Sequence, residues 1–295
     1  MTERVLPRTF VPLAFVAGAV FQYAGAAIGV FLFDVVSPST VAWLRAAGAA
    51  VVLLAWRRPW RVRWTRRRLL AAAGFGVVTV AMNVMFYEAI ARIPLGTAVA
   101  IEFLGPVVVA AIGSRRVRDR VAVGGAASGV VLLAGVEAPG PAGLTGVFFA
   151  LASAALWAGY ILLGKRVADA GAGLDSLAVG MAVAAVVLAP LLLTPALVHT
   201  PGAFADPRVW LLGAGVGVLS SVLPYAIDQV VLRSVGQARF ALLLALLPAT
   251  AAVVGAVVLT QVPTLAEVVG IGLVVGAMVV GATGLRSRSF AAAPP

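Results

Sequence analysis

Ten long apolar segments, separated by short breaks that are polar or contain proline, dominate this sequence of 295 residues. An α-helix needs about 20 apolar residues to cross a hydrocarbon core of about 30 Å, and most of the segments are near that length. A single water-soluble core of this size cannot cover them all, so the chain is predicted to lie in a membrane. Lipid cannot satisfy an open backbone, and no alternating barrel pattern is present, so we predict an all-α integral membrane protein. The predicted spans are 10–33, 39–56, 69–90, 97–113, 121–136, 145–163, 174–193, 209–232, 240–259 and 265–284.

Composition supports a membrane location and narrows the chemistry. Hydrophobic residues make up 62% of the chain and charged residues 11%, whereas a soluble domain has about half and about a quarter. The chain has no cysteine, and its one histidine, His199, lies in a polar stretch. Thiolate catalysis and cysteine metal sites are therefore excluded, and no convergent cluster typical of an enzyme is present. We predict no enzymatic activity, no metal and no cofactor.

Lysine and arginine are distributed very unevenly among the segments between the spans. With the N-terminus placed in the cytoplasm, 19 of the 22 fall on the cytoplasmic side, Arg92 and Arg208 fall outside, and Arg45 lies within a span. The positive-inside rule describes this pattern. It requires an even number of spans, so both termini are predicted to be cytoplasmic in a multi-pass protein of the plasma membrane. The net charge of +11 is explained in this way, and we predict no nucleic-acid partner.

The two halves of the chain resemble each other at an offset of 142 residues, which places Pro106 opposite Pro248 and Gly113 opposite Gly255. Each half contains five spans, an odd number, so two such repeats must cross the membrane in opposite orientations. Inverted repeats around a site near the midplane are typical of secondary transporters. Chance similarity between two segments rich in glycine, alanine and valine is the alternative. The predicted five-helix repeats are 10–136 and 145–284.

The segment AMNVMFYEAIARIPLGTAVAIEFLGPVVVAAIGSRRVRD, residues 81–119, resembles the signature region of EamA-type permeases in the drug/metabolite transporter superfamily. It is most similar to the branch of threonine/homoserine exporters. Further matches are VAWLRAAGA around Arg45, LWAGYILLGKR at 156–166 and SSVLPYAIDQVVLR at 220–233. The resemblance implies ten helices in two inverted repeats, cytoplasmic termini, and efflux of amino acids or similar metabolites.

Two positions depart from the family pattern. The family usually carries a glutamate before the proline of the ninth span, where this chain has Leu247, and a second glutamate after that span, where this chain has Gln261. Both departures bear on the coupling ion and on substrate preference.

Ionisable groups within the spans are the leading site candidates, because each costs at least about 2.5–3.5 kcal/mol near the bilayer centre. Glu102 precedes Gly105 and Pro106 and matches the family's A-V-A-x-E-F pattern, so we interpret it as a pathway residue and proton carrier rather than an interfacial carboxylate. Arg45 either binds a substrate carboxylate, pairs with Glu102, or extends towards the outer headgroups. Asp228 matches an acidic position in the family and is a second candidate proton carrier, with an interfacial location as the alternative.

Further positions complete the predicted site. Glu88, near the outer end of its span, is a third proton-coupling candidate, and Glu267 is expected to be interfacial. Asn83 and Tyr87 are four residues apart, so they share a helix face that suits either a polar cavity or a helix–helix hydrogen bond. Trp157 and Tyr160 either line the cavity or serve in packing. The remaining predicted pathway residue is Tyr225, and the predicted helix breaks or gates are Gly96, Gly105, Pro106, Pro224 and Pro248.

Together these features predict a secondary transporter that exports amino acids such as threonine or homoserine, or related small metabolites, in exchange for protons. No G-x-x-x-x-G-K-[ST] nucleotide-binding loop is present. A broad-specificity drug or metabolite exporter is the alternative within the superfamily. A channel, a membrane scaffold or an enzyme acting on lipid-borne substrates are alternatives of other classes. The expected partners are a small-molecule substrate and membrane lipid, and a homodimer is left open.

The orientation can be tested directly because the chain contains no cysteine. A single cysteine placed within 57–68 should resist an impermeant thiol reagent added outside intact cells, because this arginine-rich segment is predicted to be cytoplasmic. A cysteine placed within 200–206 should react. The reverse pattern of labelling would overturn the predicted topology.

Overall fold

The computed structural model of the protein describes Pro7 and residues 9–112, 116–137, 140–169 and 173–291. In these ranges the backbone forms helices and turns, with no strand. Eight helices are long and apolar enough to cross a membrane, and two shorter apolar segments, Leu95–Ala111 and Leu242–Val258, bring the number to ten. The prediction of an all-α membrane fold with ten spans is confirmed.

Local sequence explains where several helices begin. Ser37 and Thr65 accept hydrogen bonds from backbone N–H groups three residues later, and Asp206 accepts one from Arg208. Each thereby satisfies one of the free donors at a helix start. A π-helical turn, Val218–Val222, joins two helices into the eighth span. The helices are α1 (Val11–Phe31), α2 (Pro38–Arg57), α3 (Arg66–Ile90), α4 (Leu95–Glu102), α5 (Leu104–Ala111), α6 (Val117–Glu137), α7 (Pro141–Asp169), α8 (Gly173–His199), α9 (Pro207–Gly217), α10 (Leu223–Leu244), α11 (Leu247–Val258) and α12 (Leu265–Ala291).

Some helices extend beyond the predicted spans. Helix α8 continues to His199, so the histidine ends a helix instead of lying in a polar stretch between helices. Helix α10 runs from Leu223 to Leu244, so it includes residues 233–239, which separate the eighth and ninth predicted spans. Hydropathy marks where apolar residues stop, whereas backbone hydrogen bonding carries a helix beyond that point. In these two cases the hydropathy limits are shorter than the helices, whereas the first predicted span, 10–33, is longer than α1.

Proline interrupts the fourth span at the position of a candidate site residue. Helix α4 ends at Glu102 and α5 begins at Leu104. Pro106 has no N–H with which to bond the carbonyl of Glu102, so the regular hydrogen bonding of the helix is interrupted there. The same relation recurs between Pro248 and Leu244, where α10 ends and a new helix starts. The two interruptions lie 142 residues apart, at matching positions of the predicted repeats.

Glycines allow the helices to pack at backbone contact. A Cβ atom on Gly76 of α3 would overlap the carbonyl oxygen of Gly180 of α8, and one on Gly129 of α6 would lie 2.8 Å from the carbonyl oxygen of Gly270 of α12. Small residues at such crossings are the usual basis of helix association in lipid, where dispersion contacts replace the hydrophobic effect.

The substitution Gly76→Ala should therefore destabilise the protein, since the new methyl group forces α3 and α8 apart. Overpacking of this kind costs about 1–3 kcal/mol. We expect a lower thermal unfolding midpoint for the purified protein in detergent. Gly74→Ala is the matched control, because nothing lies within 4 Å of a Cβ at Gly74. Equal midpoints for the two variants would contradict the close crossing.

Candidate functional site

A cavity of about 50 Å³ lies between α1, α2, α3, α4 and α7. It collects two opposite charges, two amides and several aromatic rings from segments far apart in the sequence. Four of the predicted site residues meet there: Arg45, Asn83, Glu102 and Trp157. The other lining residues are Gln22, Tyr23, Ala26, Met82 and Phe86.

Arg45 is held by the π-helical turn. Its Nε donates to the hydroxyl of Ser221 at 3.0 Å and its Nη2 to the carbonyl of Ser220 at 2.7 Å. The guanidinium carbon also lies 6.0 Å from the centre of the Tyr87 ring. The hydroxyl of Ser220 donates in turn to the carbonyl of Gln22 on α1, at 2.7 Å. A guanidinium has five N–H groups, so these contacts fix Arg45 without using all its donors.

Glu102 is buried, with 8% of its surface exposed. Its Oε1 lies 2.5 Å from the hydroxyl oxygen of Ser153 on α7, and that oxygen lies 3.1 Å from the carbonyl of Met82 on α3. The charge of Arg45 acts on Glu102, yet among the described residues the two form no ion pair. The predicted Arg45–Glu102 pair is therefore not formed, because Arg45 is bound to the π-helical turn.

The hydroxyl of Ser153 has one hydrogen and two neighbouring acceptors. When Glu102 is ionised, the hydrogen of Ser153 is donated to the carboxylate. When Glu102 is protonated, the carboxyl group donates to Ser153, and the hydrogen of Ser153 is free for the carbonyl of Met82. The same three atoms thus accommodate both protonation states of Glu102.

Tyrosine side chains link the cavity to Asp228. The charges of Glu102, Arg45 and Asp228 all act on the buried Tyr23. Asp228 also acts on Tyr160 and Tyr225, whose hydroxyl groups interact with each other. Asp228, Tyr160 and Tyr225 do not line the cavity. Within the described ranges, Asp228 has neither a hydrogen bond nor an ion pair.

Two polar groups on α3 are buried without a partner. In the described part of the chain, Nδ2 of Asn83 and the hydroxyl of Tyr87 have no hydrogen bond of normal geometry, although Arg45 and Ser220 lie close enough to act on the Tyr87 hydroxyl. Asn83 is 2% exposed and Tyr87 is fully buried. They lie one turn apart, as their spacing predicted.

Glu88 and Glu267 lie away from the cavity. Glu88 forms an ion pair with Arg92 one turn later, at 2.7 Å. Glu267 was expected at the interface, but it is buried: its Oε1 accepts from Thr97 at 3.1 Å and its Oε2 from the backbone N–H of Thr264 at 2.7 Å. Thr264 and Glu267 form a capping box at the start of α12.

The two departures from the family pattern have structural explanations. Leu247 begins α11 and is buried in the apolar core. Gln261 accepts a hydrogen bond from the backbone N–H of Leu95 at 2.9 Å, which caps α4. The amide oxygen of Gln261 can accept this hydrogen bond as the carboxylate of a glutamate would, but it carries no negative charge.

The predicted gating residues contribute close packing and helix starts. A Cβ on Gly96 would lie 2.8 Å from Ala252 of α11, and one on Gly105 would overlap the carbonyl of Ala154 of α7. Pro224 and Pro248 lie in the first turns of α10 and α11, and Pro106 lies at the break between α4 and α5. None of these five residues lines the cavity itself.

Sequence reasoning missed several neutral residues of the site. Tyr23 and Gln22 lie on α1, from which no candidate was taken, and Ser153, Ser220 and Ser221 hold the two charged groups. The signal available was a hydroxyl group within an apolar span. A hydroxyl group in a span does not by itself indicate a site, because it can bond within its own helix. Thr79 does so, donating its hydroxyl to the carbonyl of Phe75.

Comparison with known proteins assigns the family. The threonine/homoserine exporter RhtA of Escherichia coli K12 is 34% identical over 266 residues, which cover 90% of this chain and 88% of that protein. The chain belongs to the EamA-like transporter family. The profile of that family matches residues 144–282. Within the drug/metabolite transporter superfamily, the chain belongs to the RhtA branch.

Two further comparisons agree with this assignment. The threonine/homoserine exporter RhtA of Salmonella typhimurium SL1344 is 34% identical over 255 residues, covering 86% of this chain and 85% of that protein. A crystal structure with 19% sequence identity has the same fold, with a TM-score of 0.60 over 96% of this chain and 99% of that one.

The cap on α4 leads to a stability prediction. Gln261→Leu removes the acceptor for the N–H of Leu95, and loss of such a cap costs about 1 kcal/mol. We expect a lower thermal unfolding midpoint in detergent. Val262→Ala is the control, because the side chain next to Gln261 is 80% exposed. An unchanged midpoint for Gln261→Leu would show that the contact does not stabilise the protein.

Proposed function

We propose that this protein exports threonine, homoserine or related small amino acids from the cytoplasm across the plasma membrane, in exchange for protons. Its two halves, 10–136 and 145–284, act as inverted repeats with both termini in the cytoplasm. The relatives named threonine/homoserine exporter support the substrate class. The observation that carries the proposal is a guanidinium and a carboxylate that line one cavity without pairing.

Separated charges of opposite sign are complementary to a zwitterion. The free N–H groups of Arg45 suit a substrate α-carboxylate, which a planar guanidinium binds in bidentate fashion. The carboxylate of Glu102 suits the α-ammonium group. Each buried charge is costly while it lacks a charged partner, and an amino acid supplies both partners at once. A substrate with only one charge would leave the other buried charge unpaired.

The cavity is smaller than its proposed substrate. A volume of about 50 Å³ accommodates roughly three to five water molecules at about 10–15 Å³ each, fewer heavy atoms than an amino acid has. Binding therefore requires the surrounding helices to separate and enlarge the cavity. The interrupted helices at Glu102 and at Leu244 are the natural places for this movement, as in other transporters with broken helices.

Competition at one carboxylate explains exchange. The substrate ammonium group and a proton both require the same oxygens of Glu102, so they cannot be bound together. Ser153 supports either state, because its hydroxyl donates to the ionised carboxylate or accepts from the protonated one. Release of the amino acid outside then leaves Glu102 free to take up a proton, which is released inside when the next substrate binds.

Purified protein in proteoliposomes tests this mechanism. Vesicles loaded with threonine or homoserine should show amino-acid flux that increases when a pH gradient is imposed. In Glu102→Gln the side chain can neither exchange a proton nor pair with an ammonium group. We expect flux to fall at least about tenfold, which corresponds to about 1.4 kcal/mol. The residual flux should not change when the pH gradient is imposed.

The matched control is Asp34→Asn, which neutralises an exposed carboxylate after the end of α1. This variant should retain both the flux and its response to the gradient. Absence of flux for every amino acid tested would refute the transport proposal. A Glu102→Gln variant that still responds to the pH gradient would instead refute the role of Glu102.

A further inference from the structure

Asn83 carries a buried amide group that lacks a hydrogen-bond partner among the described residues. Asn83 lines the cavity, is 2% exposed, and its Nδ2 has no hydrogen-bond partner among the described residues. A buried polar group without a partner is destabilising and uncommon in native proteins, so each instance requires an explanation. A ligand that enters the cavity and supplies the missing partner is such an explanation.

The neighbours of Asn83 in the cavity do not supply that partner. Met82 and Phe86 flank it on α3, and Ala26 and Trp157 line the same cavity from α1 and α7. The first three offer no side-chain hydrogen-bonding group of normal strength, and the indole of Trp157 is a donor only. The two charged ends of a zwitterion are matched by Arg45 and Glu102. Gln22 and Tyr23 also line the cavity, but among the neutral polar groups of its lining Nδ2 of Asn83 is the buried one without a partner in the described residues, so it is left for the substrate's own side chain.

We propose that Asn83 selects substrates by hydrogen bonding to a hydroxyl group on the amino-acid side chain. This inference rests on the proposed amino-acid export. A carboxamide both donates and accepts hydrogen bonds, as a hydroxyl group does, so the two are complementary. An analogue with a methyl group in place of the hydroxyl leaves the amide unpaired, and sites built around such a bond reject the analogue.

Pairs of isosteric amino acids measure this selectivity. Valine has the shape of threonine with a methyl group in place of the hydroxyl, and norvaline is related to homoserine in the same way. In proteoliposomes containing the purified protein, we expect the wild type to transport each hydroxy amino acid at least about tenfold faster than its analogue, the ratio for about one hydrogen bond. In Asn83→Leu the ratio should fall to near one.

A stability measurement separates this role from a structural one. Because the amide has no hydrogen-bond partner among the described residues, Asn83→Leu should not lower the thermal unfolding midpoint in detergent. Thr79→Val is the matched control: Thr79 lies one turn earlier on α3, is fully buried, and donates within its own helix. It should keep the wild-type selectivity. If the leucine variant cannot be purified, Asn83→Ala tests the same loss of selectivity.

The outcomes distinguish this inference from the proposed function. Absence of flux for all four amino acids in the wild type would refute the export proposal itself. Flux with equal rates for threonine and valine, or an unchanged ratio in Asn83→Leu, would leave export standing and overturn the role of Asn83. A marked fall in the unfolding midpoint of Asn83→Leu, with the ratio unchanged, would show that Asn83 is structural.

Discussion

A permanently charged guanidinium within an apolar helix is the constraint on which this site depends. Arg45 cannot become neutral in a protein, so a structure that buries it must supply acceptors. The π-helical turn Val218–Val222 does so, with the carbonyl of Ser220 and the hydroxyl of Ser221. π-Helical turns are frequent at functional sites, and here the hydroxyl of Ser220 also binds α1. One charge thus joins α1, α2 and a turn of the second half of the chain.

The binding of Arg45 to the serines explains why Glu102 has no ion pair with it. Since Arg45 is committed to the serines, Glu102 has Ser153 as its hydrogen-bond partner and no ion pair in the described ranges. A direct ion pair would neutralise both groups and leave the cavity without a charged ligand-binding function. Holding the two apart keeps each available, at a cost in stability that the zwitterionic substrate of the proposed function would offset. The uncharged serines are therefore as important to the proposed chemistry as the charged residues they hold.

The sequence predicted the membrane fold well, because hydropathy and the arginine distribution report directly on the surrounding solvent. It also located Arg45, Asn83, Glu102 and Trp157, since polar groups within apolar spans stand out. It could not identify Ser153, because a serine in a helix often bonds to its own backbone, as Ser128 does to Gly124. Only the helix crossings decide which serines reach another helix. Glu88 does not line the cavity, and it pairs locally with Arg92 four residues later.

The two halves share their breaks but not their chemistry. The carbonyls of Glu102 and Leu244 lack the usual helical N–H partner, because the residue four positions later is a proline in each case. The two positions correspond at the offset of 142 residues. Leu244 contributes to an apolar cavity of about 280 Å³ that Pro106 also lines, whereas Glu102 lies in the polar one. Leu247, where the family usually carries a glutamate, is also buried among apolar residues. The helix breaks therefore lie at matching positions of the two predicted repeats, while the acidic group at the break belongs to the first half alone. Under the proposed function, such an asymmetric site would bind a zwitterion in one orientation, with the ammonium group at Glu102, beside the break between α4 and α5.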